Sequence, residues 1–251
     1  MQLIDTHAHP HMMDEEMSGA DYFKAAEAAG VETVVCIGTD ADDSRRAVAA
    51  AHEYQMWATV GLHPHEADKH PDHYPQLSTL ADDSKVVAIG ECGLDYHYEH
   101  SPREDQAEAL HAQINLAKQQ QLPLVFHVRD AYEAFWEVFD MHQNISGVVH
   151  SFTGNEEDMR QAVARGLYVG INGIVTFARD KNLQAAVREL PLEHTVLETD
   201  APYLTPKPFR GTMNHSAHVK LVAEYIAEIK GEQVETVARY TTENARRLFG
   251  V

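Results

Sequence analysis

The stretch "LIDTHAHPHM", residues 3–12, begins with apolar residues and then places two histidines one residue apart. In a β-strand, side chains two positions apart point to the same face, so Asp5, His7 and His9 would share one side of the strand. Such a face is typical of a metal site, whereas a lone His-x-His pair is more often solvated or hydrogen-bonded. The chain contains 17 histidines, so the rest of the sequence must decide between the two interpretations.

Eight short apolar runs are predicted to be strands, and helical patterns lie between them. The runs span about residues 2–7, 33–38, 57–62, 86–91, 123–128, 147–151, 167–171 and 195–199. This alternation is typical of an α/β fold in which eight parallel strands close into a (β/α)8 TIM barrel. Because barrels of 251 residues are routinely one domain, the sequence predicts a single barrel domain over residues 1–251.

The composition limits the partners and the compartment. A formal net charge of −19, from 39 acidic and 20 basic residues, disfavours a broad nucleic-acid surface, so a polyanionic substrate would have to be held locally. The absence of a long apolar run or a signal-peptide pattern predicts an unexported protein with no membrane contact. Cys36 and Cys92 lie in separate apolar segments, which suits buried thiols in a reducing cytoplasm. The sequence indicates no obligate protein partner.

Functional residues of a barrel lie at the carboxyl ends of its strands and in the loops that follow. Potential metal ligands stand at five of the predicted ends: His7 and His9, then Glu91, His127, His150 and Asp200. Taken singly, each has a structural alternative, such as a packed histidine or a helix-capping carboxylate. Taken together, so many polar groups at the ends of apolar strands would be costly to bury, so the sequence predicts a metal site.

The predicted ligands indicate the metals and their number. Imidazole nitrogen and carboxylate oxygen suit Zn²⁺ and Mn²⁺, and an open, oxygen-rich site also accepts Mg²⁺. Four histidines and two carboxylates exceed the needs of one ion. A carboxylate can bridge two ions about 3.5–4 Å apart, where one ion activates water and both stabilise the charge of the transition state. Glu91, on the fourth predicted strand, is the predicted bridge.

Over nearly its whole length, the chain resembles the TatD-like metal-dependent deoxyribonucleases of the amidohydrolase superfamily. The motifs that carry the resemblance are "DTHAH" at 5–9, "GLHPH" at 61–65, "GECGLDY" at 90–96, "HVRDA" at 127–131, "HSFTG" at 150–154 and "ETDAPYL" at 198–204. They occur in the family's order and at its approximate spacing. Several ordered motifs are far more specific than any one of them.

The resemblance implies roles for individual residues. It implies two ligand sets: His7, His9, Glu91 and Asp200 for one ion, and Glu91, His127 and His150 for the other. It also implies that Asp200 orients or deprotonates the attacking water. The implied neighbours of the substrate are His63, His65, Tyr96 and Arg129. For His63 and His65, the structural alternative is a loop stabilised by Pro64.

One segment departs from the family pattern. Where many relatives carry an Arg-Asn-Glu-Pro-like sequence after the eighth strand, this chain has "FRGTMNHSAHV" at 209–219. Asn214 matches the pattern, and three residues do not: Met213, His215 and Ser216. The departure bears on the substrate, because this loop would border it. Arg210 and Lys207 are candidate phosphate contacts, with a solvated surface charge as the alternative for Lys207.

These observations lead to three hypotheses about function. The first is a divalent-metal-dependent hydrolase, a TatD-like deoxyribonuclease that cleaves phosphodiester bonds in DNA with metal-activated water. The second is an amidohydrolase-type enzyme that acts on a small ester, amide or phosphoester, which the net charge and the altered segment favour. The third is a scaffold without activity, which is disfavoured because every ligand-type position in the matched motifs is filled.

Overall fold

Strands and helices alternate along the chain in the computed structural model, which describes residues 1–13 and 17–251. The strands are β1 (Leu3–Ala8), β2 (Val31–Ile37), β3 (Trp57–Val60), β4 (Val86–Asp95), β5 (Leu124–Arg129), β6 (Gly147–Val149), β7 (Tyr168–Ile171) and β8 (Thr195–Leu197). The described helices are α1 (Gly19–Ala28), α2 (Ala41–Tyr54), α3 (His70–Leu80), α4 (Arg103–Gln120), α5 (Tyr132–Asp140), α6 (Glu156–Ala164), α7 (Lys181–Glu189), α8 (Val219–Lys230) and α9 (Val234–Phe249). The sheet has the strand order β1 to β8, as in a (β/α)8 barrel.

The described chain divides into two compact units, and the prediction of one domain over residues 1–251 stays a prediction. Unit 1 comprises residues 1–36 and 151–251, and in it β1 pairs with β2 and β7 pairs with β8. Unit 2 comprises residues 37–150, and in it β3, β4, β5 and β6 pair in sequence. All of these pairings are parallel, as expected when a helix connects consecutive strands.

Every predicted strand overlaps an observed one, and the largest difference concerns β4. The prediction ended this strand at Glu91, but β4 continues to Asp95 and is buried at every position. Gly93 accounts for part of this extension, because a Cβ at this position would overlap the carbonyl oxygen of His127 on β5. Glycine therefore allows the two strands to stay close over their whole length.

The helices bury apolar faces, and four of the described helices, α1, α2, α6 and α7, begin at a residue whose side chain caps them. On α9, apolar side chains are buried at helical spacing, among them Val237, Ala245 and Leu248. Burial of a side chain the size of Val237 or Leu248 is worth about 1.5–3 kcal/mol. The side chain of Asn155 caps α6 in a reciprocal arrangement with Asp158. None of the described helices is both long and apolar enough to cross a membrane.

Candidate functional site

Unit 2 brings three imidazoles to one buried carboxylate, that of Glu91. Oε1 of Glu91 lies 2.8 Å from Nε2 of His150 and 2.9 Å from Nδ1 of His127. The same oxygen lies 3.3 Å from Nε2 of His63. These four residues are called the unit-2 cluster below. The cluster includes three of the predicted ligands, and it adds His63, for which sequence reasoning predicted only a substrate contact.

The local structure explains why these side chains meet. Glu91 and His127 lie on the paired strands β4 and β5, His150 directly follows β6, and His63 lies in the loop after β3. Gln113 on α4 fixes that loop, because its amide accepts a hydrogen bond from the Leu62 N–H at 2.7 Å and donates one to the Leu62 carbonyl at 3.0 Å. A buried side chain of α4 therefore holds the backbone next to His63 in place.

Burial and the neighbouring charges set the protonation of the cluster. Burial raises the pKa of Glu91, but His150, His63 and His127 together hold this pKa well below its usual value, so the carboxylate is an anion. Burial lowers the pKa of His63 to about 4 despite the opposing effect of Glu91, so its imidazole is neutral at pH 7. A neutral imidazole retains the lone pair that a metal ligand needs.

Asp95 supports this cluster and was missed by sequence reasoning. Its Oδ2 accepts hydrogen bonds from Nε2 of His127 at 3.0 Å and from Nε2 of His65 at 2.9 Å. Its Oδ1 accepts the backbone N–H groups of His97 and Tyr98. Burial lowers the pKa of His127, but hydrogen bonds to Asp95 and to Glu91, which lies 2.9 Å from Nδ1, outweigh burial and raise this pKa. In a neutral histidine that donates Nε2–H to a carboxylate, Nδ1 keeps the lone pair that a metal needs. Asp95 therefore orients the imidazole of His127.

Unit 1 brings together the remaining predicted ligands. Oδ1 of Asp200 lies 3.6 Å from Nε2 of His7 and 3.5 Å from Nε2 of His9. Both histidines are buried, whereas the Asp200 side chain is 15% exposed. These three residues are called the unit-1 cluster below. Asp200 has a φ of +57°, in the left-handed region that Asp adopts more readily than most residues.

Hydrogen bonds between β1 and the segment after β8 hold the unit-1 cluster. The His9 N–H donates to the Ala201 carbonyl at 2.7 Å, and the Asp200 N–H donates to the His7 carbonyl at 2.8 Å. Both bonds join the backbone of a predicted histidine ligand to the segment that carries the carboxylate of Asp200. They fix the position of Asp200 relative to His7 and His9.

Asp5 shares the predicted strand face with His7 and His9 but has a separate role. The hydroxyls of Thr199 and Ser216 donate to its carboxylate at 2.6 Å and 2.5 Å. Burial raises the pKa of Asp5 to about 7, although these hydrogen bonds oppose the effect. Ser216 also lies 2.6 Å from the Tyr22 hydroxyl. Ser216, one of the residues that depart from the family pattern, therefore belongs to a buried hydrogen-bond network.

Three of the other residues predicted to contact substrate, Tyr96, Arg129 and Arg210, take part in contacts between an arginine and an aromatic ring. The Arg103 guanidinium lies 4.0 Å from the ring centre of Tyr96, and that of Arg129 lies 4.8 Å from the ring centre of Tyr98. Arg210 lies 3.8 Å from the ring centre of Phe177. Lys207 is exposed, which fits its structural alternative as well as a phosphate contact. The substrate contacts of these residues stay predictions.

The donor atoms of both clusters fit a divalent cation. All of them are imidazole nitrogens or carboxylate oxygens, the donors that bind Zn²⁺ and Mn²⁺ and, where oxygen predominates, Mg²⁺. In the unit-2 cluster, the ligand atoms of His63, Glu91 and His127 lie within 4.8 Å of one another. A cation would also offset the charge of a carboxylate that the fold has removed from water.

Comparisons with known proteins agree with this chemistry. The family described as TatD related DNase matches residues 4–250. The chain is 39% identical to the uncharacterized metal-dependent hydrolase YabD of Bacillus subtilis, over 99% of each chain. It is 37% identical to the 3'-5' ssDNA/RNA exonuclease TatD of Salmonella typhimurium, over 92% of each chain. The crystal structure of YjjV, a TatD homolog from Escherichia coli, superposes with a TM-score of 0.92 at 31% identity, covering 99% of this chain and 98% of that one. The predicted TIM-barrel fold is therefore confirmed.

Proposed function

The chain belongs to the family of TatD-related DNases, and we propose that it is a divalent-metal-dependent hydrolase that cleaves phosphodiester bonds in DNA. One observation carries the proposal: all six predicted metal ligands lie in the two clusters, each a set of imidazoles around a carboxylate. Two relatives support it, since one is described as a metal-dependent hydrolase and another as an exonuclease for single-stranded DNA and RNA.

We propose two divalent ions, of Zn²⁺, Mg²⁺ or Mn²⁺. The ligands of one would be His7, His9 and Asp200, and those of the other would be Glu91, His127 and His150. That Glu91 bridges the two ions stays a prediction from the sequence. When bound, such ions lower the pKa of water and stabilise negative charge on phosphoryl oxygens.

The protein groups then orient the reactants and hold protons at defined atoms. Asp200 has a partly exposed carboxylate, so its Oδ atoms can accept the proton of a water that attacks phosphorus. Asp95 keeps the Nε2 proton on His127. We propose His63, His65, Tyr96, Arg129 and Arg210 as substrate contacts, of which the two arginines can pair with phosphate oxygens. We also propose a cytoplasmic location, which the two buried, free cysteines support.

The test is cleavage of end-labelled single-stranded and double-stranded DNA by protein loaded with Mg²⁺, Mn²⁺ or Zn²⁺. Metal-dependent products are expected from the natural protein, and Asp200→Asn should lose most of this activity. A parallel panel of small esters, amides, lactones and phosphoesters distinguishes the second hypothesis, which the charge of −19 favours. Preference by orders of magnitude for a substrate without phosphorus would overturn the nuclease proposal. Bound metal without turnover on any substrate would indicate a scaffold.

A further inference from the structure

The loop between β8 and α8 presents aromatic side chains at the surface of unit 1. Tyr203 and Phe209 are 56% and 47% exposed, although exposure of a large ring to water is unfavourable. The ring of Phe209 stacks on that of His218, with centres 5.1 Å apart and planes 12° from parallel. His218 stacks in turn on His215, with centres 4.0 Å apart. These four residues are called the β8 platform.

Hydrogen bonds hold the backbone of the platform and the ring of His218 in place. The fully buried amide of Asn214 donates to the Tyr203 carbonyl at 2.6 Å, and its oxygen lies 2.9 Å from Nδ1 of His218. The backbone of Phe209 is held in a turn, because its N–H donates to the Pro206 carbonyl and its own carbonyl accepts the hydroxyl of Thr212. A surface that is already ordered loses little conformational entropy when a ligand binds.

The chemistry of the platform points to a flat aromatic ligand attached to an anion. Burial, together with His215, lowers the pKa of His218 to about 4, so the stack consists of uncharged rings at pH 7. Arg210 follows Phe209 in the chain, and its guanidinium is held by the Phe177 ring and by a hydrogen bond to the Thr205 carbonyl at 3.1 Å. The platform also reaches the unit-1 cluster, because the ring centres of Tyr203 and His9 are 6.3 Å apart.

We propose that the β8 platform stacks bases of single-stranded nucleic acid and thereby makes Phe209 and Tyr203 determinants of substrate preference. This inference rests on the proposed function, because it assigns the bases that flank the cleaved phosphodiester. Every base has a π-face, so stacking tolerates any sequence, and Arg210 supplies a cation for the backbone. In a duplex the faces of the inner bases are already stacked on one another. The platform therefore favours single strands and frayed ends over intact duplex.

The test separates binding of bases from hydrolysis. Fluorescein-labelled phosphorothioate octathymidylate, which resists hydrolysis, is titrated with metal-loaded protein, and an abasic phosphorothioate octamer serves as the second probe. Phe209→Ala should weaken binding of the thymidylate probe about 5- to 150-fold, the range for loss of one stacked base, and leave binding of the abasic probe unchanged. Phe209→Trp should restore binding. Tyr240→Ala, which removes a half-buried ring with an arginine over it on α9, should bind as the natural protein does.

Each other outcome has a definite meaning. The proposal would be overturned if Phe209→Ala weakened binding of both probes equally or weakened binding of neither. It would also be overturned if the natural protein bound both probes with equal affinity. A change of oligomeric state in Phe209→Ala would identify a contact between copies of the chain instead, and would also overturn it. Hydrolysis of unmodified octathymidylate is measured separately. Platform-dependent binding without hydrolysis would refute only the nuclease proposal, whereas hydrolysis that is insensitive to Phe209→Ala would refute only the platform.

Discussion

Replacement of Asp95 by Asn tests whether metal binding depends on the orientation of His127. In the structure, Oδ2 of Asp95 accepts from Nε2 of His127 and His65, and Oδ1 accepts two backbone N–H groups. An Asn side chain can keep the backbone hydrogen bonds with its oxygen, but its NH₂ group then faces the imidazoles and only donates. The proton of His127 would move to Nδ1, which lies 2.9 Å from Glu91, and the metal-binding lone pair would be lost.

The size of the effect follows from the loss of one orienting carboxylate. Such losses typically cost about 10- to 100-fold in metal affinity or activity, so the dissociation constant for Zn²⁺ or Mn²⁺ should rise by that factor in calorimetric titrations. Asp130→Asn is the matched control, because Asp130 also pairs with a histidine, at 2.9 Å, but is 68% exposed. Unchanged metal affinity in Asp95→Asn would refute the reasoning. Lower stability in urea with unchanged affinity would make Asp95 a purely structural residue.

Two further substitutions test the clusters and their support. Glu91→Gln keeps the shape of the side chain but removes the charge beside three imidazoles, so metal content should fall and turnover should drop by orders of magnitude while circular dichroism stays native. Full metal occupancy with normal turnover would contradict this role. Ser216→Ala removes a donor to the buried Asp5 and should lower the free energy of unfolding in urea by about 1–3 kcal/mol, whereas Ser84→Ala, at an exposed position, should not. Equal stability of the two variants would show that water replaces the lost donor.

The family, the fold class and the metal-dependent hydrolase activity could be predicted from the sequence, because ordered motifs follow short apolar runs. The extent of β4 could not be predicted from apolar pattern alone. "CGLD" contains Gly and Asp, which usually end a strand, but Gly93 is required by the close approach of β5. Asp95 was therefore placed outside the strand. Its even spacing from Glu91 was the available signal, since residues four apart in a strand share a face.

Contacts between distant segments account for the rest of what the sequence did not reveal. Ser216 and Asp5 are 211 residues apart, and no local pattern indicates that a serine in a loop will bond a carboxylate on the first strand. The stacking of Phe209 on His218 likewise depends on the path of the loop after β8. The resemblance to the family implied that His63 contacts substrate, and only the fold shows that its ring also lies 3.3 Å from the carboxylate of Glu91. A position in a loop of the sequence does not indicate which way its side chain will point in the fold.

The strongly negative net charge is compatible with the proposed polyanionic substrate, because the two arginines proposed as phosphate contacts are each held on an aromatic ring. Arg129, two residues after the predicted ligand His127 on β5, lies over the ring of Tyr98, and Arg210 lies over the ring of Phe177. A guanidinium that rests on an aromatic face loses less rotamer entropy when it pairs with phosphate, and its planar fork matches two phosphate oxygens. The acidic residues exposed elsewhere act across water and salt, which screen them within about 10 Å at 0.1 M ionic strength. Local placement of charge, and not the sum of −19, therefore determines whether phosphate can approach.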